Sequence, residues 1–161
     1  MENNIYIFSR AIRTGKTTEL FDWLKDKSDA TGFLTPDVDE RRKLFDISTK
    51  NYYDLELQPG TNEETIEIGK FLFSKKVFDT AKKIISSSDK KEWLIIDEAG
   101  KLEIEQDKGL EPELSELIKS YRTGLKKGKL LLVIRDSLLE KAIIKYELHK
   151  ANIIHSLSEI C

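Results

Sequence analysis

Ile5-Tyr6-Ile7-Phe8-Ser9-Arg10-Ala11-Ile12-Arg13-Thr14-Gly15-Lys16-Thr17-Thr18 is the stretch on which the fold turns. Its first four residues are β-branched or aromatic and predict a strand. Polar residues and Gly15 then interrupt the run, and residues 17–27 predict a helix whose Leu20, Phe21 and Leu24 form one apolar stripe while Asp22, Lys25 and Asp26 face water. A helix start has backbone N–H groups without intrahelical acceptors and the positive end of the helix dipole, so it attracts anions. Gly15-Lys16-Thr17-Thr18 adds what a phosphate chain needs: converging amides, a lysine amine to span the terminal phosphates, and a Thr17 hydroxyl that can coordinate Mg2+. Arg10, Arg13, Thr14, Gly15, Lys16, Thr17 and Thr18 are the candidate nucleotide-binding residues.

This segment looks like the second half of a Walker A phosphate loop, which carries a further glycine five residues before its Gly-Lys pair. Arg10 stands there instead. A left-handed conformation at Arg10 or Arg13 would add roughly 1–2 kcal/mol of strain that glycine avoids. The two guanidinium groups can supply charge-assisted hydrogen bonds to a nucleotide, fill an empty cradle, or point into solvent.

Outward from this loop, strands and helices alternate. A strand is expected over residues 30–35, ending at Pro36, and a hairpin insertion over 43–48 and 52–57, closed by Pro59-Gly60. Val77, Phe78, Ala81, Ile84 and Ile85 recur at helical spacing before the break at Ser86-Ser87-Ser88-Asp89. Trp93-Leu94-Ile95-Ile96 is a continuous apolar run suited to a strand buried on both faces. Leu114, Leu117, Ile118, Tyr121 and Leu125 mark a helix opening with Pro112; residues 130–134 predict another core strand, residues 138–146 a helix, and Ile153-Ile154 a last strand. Such alternation indicates parallel βαβ units in a three-layer α/β/α, Rossmann-like fold of one domain over residues 1–161, with ligands at the carboxyl ends of the strands.

One core strand ends in two acids. Ile95-Ile96-Asp97-Glu98 has the form of a Walker B segment, in which Asp97 holds Mg2+ through water and Glu98 orients or deprotonates the attacking water. Lys16 and Glu98 are therefore the candidate catalytic residues, and Thr17 and Asp97 the candidate metal ligands.

Composition narrows the classes. The chain has 161 residues, 39% hydrophobic, enough for one core. With 27 Lys plus Arg against 29 Asp plus Glu, the net charge of −2 offers no general attraction to nucleic acid or anionic lipid, so phosphate must be gripped locally. The single cysteine, Cys161, allows no internal disulfide or C-x-x-C pair and fits a reducing cytoplasm. Met1-Glu2-Asn3-Asn4 is polar and the longest apolar run is five residues, so neither a secretion signal nor a membrane span is expected.

Gly15-Lys16-Thr17-Thr18, Gly32-Phe33-Leu34-Thr35-Pro36-Asp37-Val38 and, above all, Ile96-Asp97-Glu98-Ala99-Gly100-Lys101-Leu102-Glu103 resemble the small P-loop nucleoside-triphosphatase family called cancer-related or thermophile-type NTPase. In order and spacing the resemblance spans nearly the whole chain. It implies a Rossmann-like P-loop domain, related to nucleotide kinases, that hydrolyses ATP or GTP slowly with Mg2+ and little base preference. It implies Lys16 and Thr17 on phosphates and metal, Asp97 on the metal and Glu98 as the catalytic acid/base. Members usually carry two more glycines in the phosphate loop, where this chain has Arg10 and Arg13. They also have an arginine and a glycine-rich turn where Asp39-Glu40-Arg41-Arg42 follows Val38 here.

Three functions follow: a Mg2+-dependent nucleoside-triphosphatase, a non-hydrolytic nucleotide- or partner-binding module with an altered loop, and a nucleoside or nucleotide kinase. Among the remaining residues, Arg135 after a core strand reads either as an arginine finger or as a solvent or capping residue. Glu103 reads either as reaching the site or as pairing with Lys101 or Lys108. His149 and His155 lack neighbours at ligand spacing, Trp23 and Trp93 read as core, and Lys126-Lys127-Gly128-Lys129 as a solvated turn.

Overall fold

In the computed structural model, which describes residues 3–87 and 91–160, β1 (Ile5–Phe8) leads through the loop into α1 (Lys16–Leu24), and β2 follows at Ala30–Leu34. Cys161, Met1, Glu2, Ser88 and Asp89, on which some of the expectations rest, lie outside the described residues. Six short strands come next: β3 (Asp37–Val38), β4 (Arg41–Asp46), β5 (Tyr52–Asp54), β6 (Glu56–Leu57), β7 (Thr65–Ile68) and β8 (Phe71–Ser74). Then α2 (Lys75–Ser86) leads to β9 (Trp93–Asp97), α3 (Lys101–Gln106), α4 (Glu113–Arg122), β10 (Lys129–Val133), α5 (Leu139–Tyr146) and β11 (Asn152–Ile154). Each of the five principal strands lies where the apolar runs predict it.

The main sheet has the order β11-β1-β10-β9-β2-β4-β3, with β5 beside β4. Its first five strands are parallel, and β4 turns the sheet antiparallel at β2. Alternate residues of the buried strands feed two cores. Leu94, Ile96, Leu130 and Leu132 pack on the face covered by α2, α4 and α5, and Trp93, Ile95, Leu131 and Val133 on the face that holds Leu20 of α1. The result is the expected three-layer α/β/α sandwich with a mostly parallel sheet.

The insertion is larger than the hairpin expected from the sequence. It runs from β3 to β8 and includes a separate three-stranded antiparallel sheet, β6-β8-β7. Strands of two to four residues carry too little alternation to reveal a period, which is why β7 and β8 were not legible. Asp39 and Glu40, with φ of 53° and 65°, form the two-residue turn between β3 and β4. Acidic residues thus supply the left-handed pair usually taken by Asn-Gly. Two further differences concern helices. Residues 101–106, to which the sequence reading assigned no helix, form α3, and Leu125 lies beyond α4, 80% exposed, because that helix ends at Arg122. No helix among the described residues is long and apolar enough to cross a membrane.

Candidate functional site

The carboxyl ends of β1, β9 and β2 converge on the start of α1. Gly15, with φ of 81°, turns the chain into the helix, and no atom lies within 4 Å of where its Cβ would stand. Lys16 is buried, and its Nζ donates to the carbonyls of Ala11 (2.8 Å) and Arg10 (3.3 Å). Loss of water lowers its pKa, against the nearby negative charges of Glu98 and Asp97. The amine is thus held by the loop's own carbonyls, facing two carboxylates.

Thr17 and Asp97, far apart in sequence, meet here: Thr17 Oγ1 donates to Asp97 Oδ2 at 2.8 Å. The Thr35 N–H, just past β2, donates to the same oxygen at 3.2 Å. Asp97 is buried, which raises its pKa despite these two hydrogen bonds. Glu98 lies next to it; burial and the Asp97 charge push its pKa up, while Arg42, Arg135 and Lys16 oppose the rise. Arg42 Nη1 is 3.8 Å and Arg135 Nη2 3.9 Å from Glu98 Oε1, so the carboxylate sits between two guanidinium groups.

The donor set suits magnesium. Thr17 Oγ1 and Asp97 Oδ2 are hard oxygen ligands, and no group of three or more His, Cys, Asp or Glu side chains that could hold an ion by itself occurs among the described residues. An ion bound here would share phosphate oxygens and water, as Mg2+ does.

The two loop arginines separate. Arg10 does not line the cleft: its guanidinium donates to Glu19 Oε1 (2.8 Å), the Thr14 carbonyl (3.0 Å) and the His155 carbonyl (3.1 Å). Burial acts to raise the Glu19 pKa, but hydrogen bonds from Leu157 N–H and Arg10 outweigh it and hold it below the ordinary value. Arg10 therefore ties the loop to α1 and the C-terminal segment. Arg13 carries the left-handed strain, with φ of 59°, and lines the cleft together with Thr14, Gly15, Lys16, Thr17 and Thr18. Thr14 Oγ1 donates to the Ala11 carbonyl at 2.7 Å, and Thr18 is exposed on the first turn of α1.

Arg135 faces the cleft, and Arg42, which sequence reasoning did not single out, reaches Glu98 from the insertion. The available signal was an arginine shortly after Asp37-Val38; only the turn at Asp39-Glu40 decides that Arg42 is the one that arrives. Glu103 pairs with neither Lys101 nor Lys108. It is buried and accepts N–H hydrogen bonds from Gly100 (2.9 Å) and Leu110 (3.0 Å), and burial raises its pKa to about 7. His155 Nδ1 is hydrogen-bonded to the Ser9 carbonyl at 2.8 Å, Trp93 is core, and Trp23 is partly exposed against it.

A phosphate-loop-like turn between β1 and α1, with an acid-ended β9 separated from β1 by β10, defines the α/β fold of P-loop nucleoside triphosphatases. The solved structure of THEP1 from the hyperthermophile Aquifex aeolicus is similar over 97% of this chain and 92% of that one, with a TM-score of 0.69 and 16% sequence identity. At that identity the likeness is one of fold. No family model matches the sequence, and no curated protein matches it.

Proposed function

We propose that this chain is a single-domain, Mg2+-dependent nucleoside-triphosphatase of the cytoplasm, converting ATP or GTP to the diphosphate and phosphate with little base preference, and that it is akin to the thermophile-type NTPases. The observation that carries the reading is the 2.8 Å hydrogen bond from Thr17 to Asp97, beside Lys16 and Glu98. It joins the two motifs expected from sequence into one site.

In this reading the amides at the start of α1 and the Lys16 amine receive the terminal phosphates. For that, Lys16 exchanges the Ala11 and Arg10 carbonyls for phosphate oxygens. Thr17 and Asp97 would hold Mg2+, which when bound would supply charge neutralisation at the phosphate oxygens. Glu98 accepts a proton from the attacking water; burial and the neighbouring Asp97 charge raise its pKa, which makes it a stronger base than a free carboxylate. Arg42 and Arg135, loosely paired with Glu98, are near enough to meet charge developing on the transferred phosphoryl group.

The test is phosphate release from ATP and GTP with Mg2+, with and without excess chelator. Lys16→Ala and Glu98→Gln are each expected to lower the rate at least 100-fold, as is the chelator, with far-UV circular dichroism unchanged. ATP binding by calorimetry without turnover would favour the non-hydrolytic module, and equal activity in all three proteins would reject the catalytic assignment.

A further inference from the structure

The cleft does not end at the phosphate site. Its volume is 690 Å³, and beyond Glu98 it continues into a chamber walled by Leu44, Leu55, Phe73, Val77, Phe78 and Leu110. These residues come from β4, β8, α2 and the segments after β5 and α3, and they belong to or pack against the core on the face opposite α1. The chamber wall contains aromatic surface. Phe73 and Phe78 meet edge to face at 6.2 Å, Phe71 stacks beside Phe73 at 6.2 Å, and Phe71 is 38% exposed at the rim. Charged groups line this cleft as well: Glu98, Arg42 and Arg135 where it joins the phosphate site, Glu56 on the strand paired with Phe73, Lys101, and Glu103, whose carboxylate is bonded to the Leu110 N–H.

We infer that this chamber binds a phosphoryl acceptor: a planar-ring compound bearing a hydroxyl group, of which a nucleoside is an example. The inference rests on the phosphate site proposed above and adds a second substrate to it. The direction of the cleft separates acceptor from donor. A triphosphate lying with its terminal phosphate against Lys16, Thr17 and Asp97 leads its remaining phosphates back past Thr18 and Arg13, on the α1 side. The chamber residues belong to or pack against the core on the sheet face opposite α1, which assigns the chamber to the side of the terminal phosphate away from the donor's nucleoside. An apolar room with aromatic walls at that point favours a flat ring over water. A hydroxyl on the ring then lies at the Glu98 end. In the transfer, the acceptor oxygen bonds to the terminal phosphorus and its proton passes to the Glu98 carboxylate. The bond from phosphorus to the bridging oxygen breaks, and its electron pair leaves with the nucleoside diphosphate. Hydrolysis is the same step with water in the acceptor's place.

The experiment supplies terminally labelled ATP and Mg2+ with adenosine, guanosine, cytidine, uridine, thymidine and benzyl alcohol as separate probes, each at millimolar concentration. Labelled ester and free phosphate are measured in the same samples. At least one probe is expected to give labelled ester at tenfold or more the rate of phosphate release. Phe78→Ala, which removes a wall, and Ala81→Leu, which adds bulk at another residue lining the cleft, are each expected to lower the ratio of ester to phosphate at least tenfold. Circular dichroism identifies a variant that fails to fold, and the other then decides. Phosphate release with no ester from any probe overturns the acceptor while leaving the hydrolase intact. A change in preference between ATP and GTP in the chamber variants, with no ester formed, shows that the chamber holds the donor's own base and also overturns it. Absence of ATP binding by calorimetry overturns the phosphate site, and the acceptor with it.

Discussion

Gly32 lies in the middle of β2, opposite Ile95 of β9, with φ of 112°. In Gly32→Ala the added Cβ would stand 2.0 Å from the Ile95 carbonyl oxygen and 2.8 Å from its nitrogen, both backbone atoms that no rotamer change can move. Close C···O approaches between strands are about 3.3 Å, so β2 must retreat by roughly 1.3 Å at this point. The backbone conformation, which L-residues rarely adopt, costs about 1–3 kcal/mol. Weakening one or two ladder hydrogen bonds adds about 1–2 kcal/mol. The expected loss of about 2–5 kcal/mol is a large part of the 5–15 kcal/mol typical of a domain. Urea unfolding followed by tryptophan fluorescence measures it as a lowered midpoint at constant slope. The shift also reaches the site, because Thr35 just beyond β2 donates to Asp97. If the chain binds Mg2+ and ATP as proposed, their stabilisation of the fold shrinks in the variant. A midpoint change equivalent to less than about 0.5 kcal/mol, the scale of an ordinary surface substitution, would refute the steric reasoning.

Glu103 carries a pH dependence of stability. Burial, helped by the nearby Glu111 charge and opposed by the backbone hydrogen bonds, raises its pKa from 4.5 to about 7, so the folded state holds this proton more firmly than the unfolded chain. Its contribution is fully present below pH 4.5 and is lost as pH rises to about 7, by about 3 kcal/mol in all. Urea unfolding of wild type and Glu103→Gln at pH 5 and pH 8 should show the wild type losing stability relative to the variant, and an unchanged difference would contradict this. Arg10→Ala should cost about 1 kcal/mol through loss of the Glu19, Thr14 and His155 contacts, whereas exposed Arg13→Ala should stay within about 0.5 kcal/mol. Thermal denaturation of the two variants side by side checks the order, and a larger loss at Arg13 would reverse the roles given to them.

The sequence by itself determined the layered frame and the ends of its principal strands. Residues 5–8, 93–96 and 130–134 are apolar runs that read as strands, and Gly15-Lys16-Thr17 and Asp97-Glu98 follow the ends of two of them. These signals are local, set by side-chain period and by the groups left exposed at a helix start. Tertiary structure alone decided which charges meet. Arg10 and Arg13 are equivalent as letters, yet the nearby Glu19 and the His155 carbonyl draw one into the scaffold, and the positive φ leaves the other at the cleft. Arg42 reaches Glu98 because β4 runs antiparallel beside β2, a pairing between short strands with no periodic signature. The apolar chamber likewise forms only when β4, β8 and α2 close over one another. Long-range packing creates that volume, and no spacing along the chain records it.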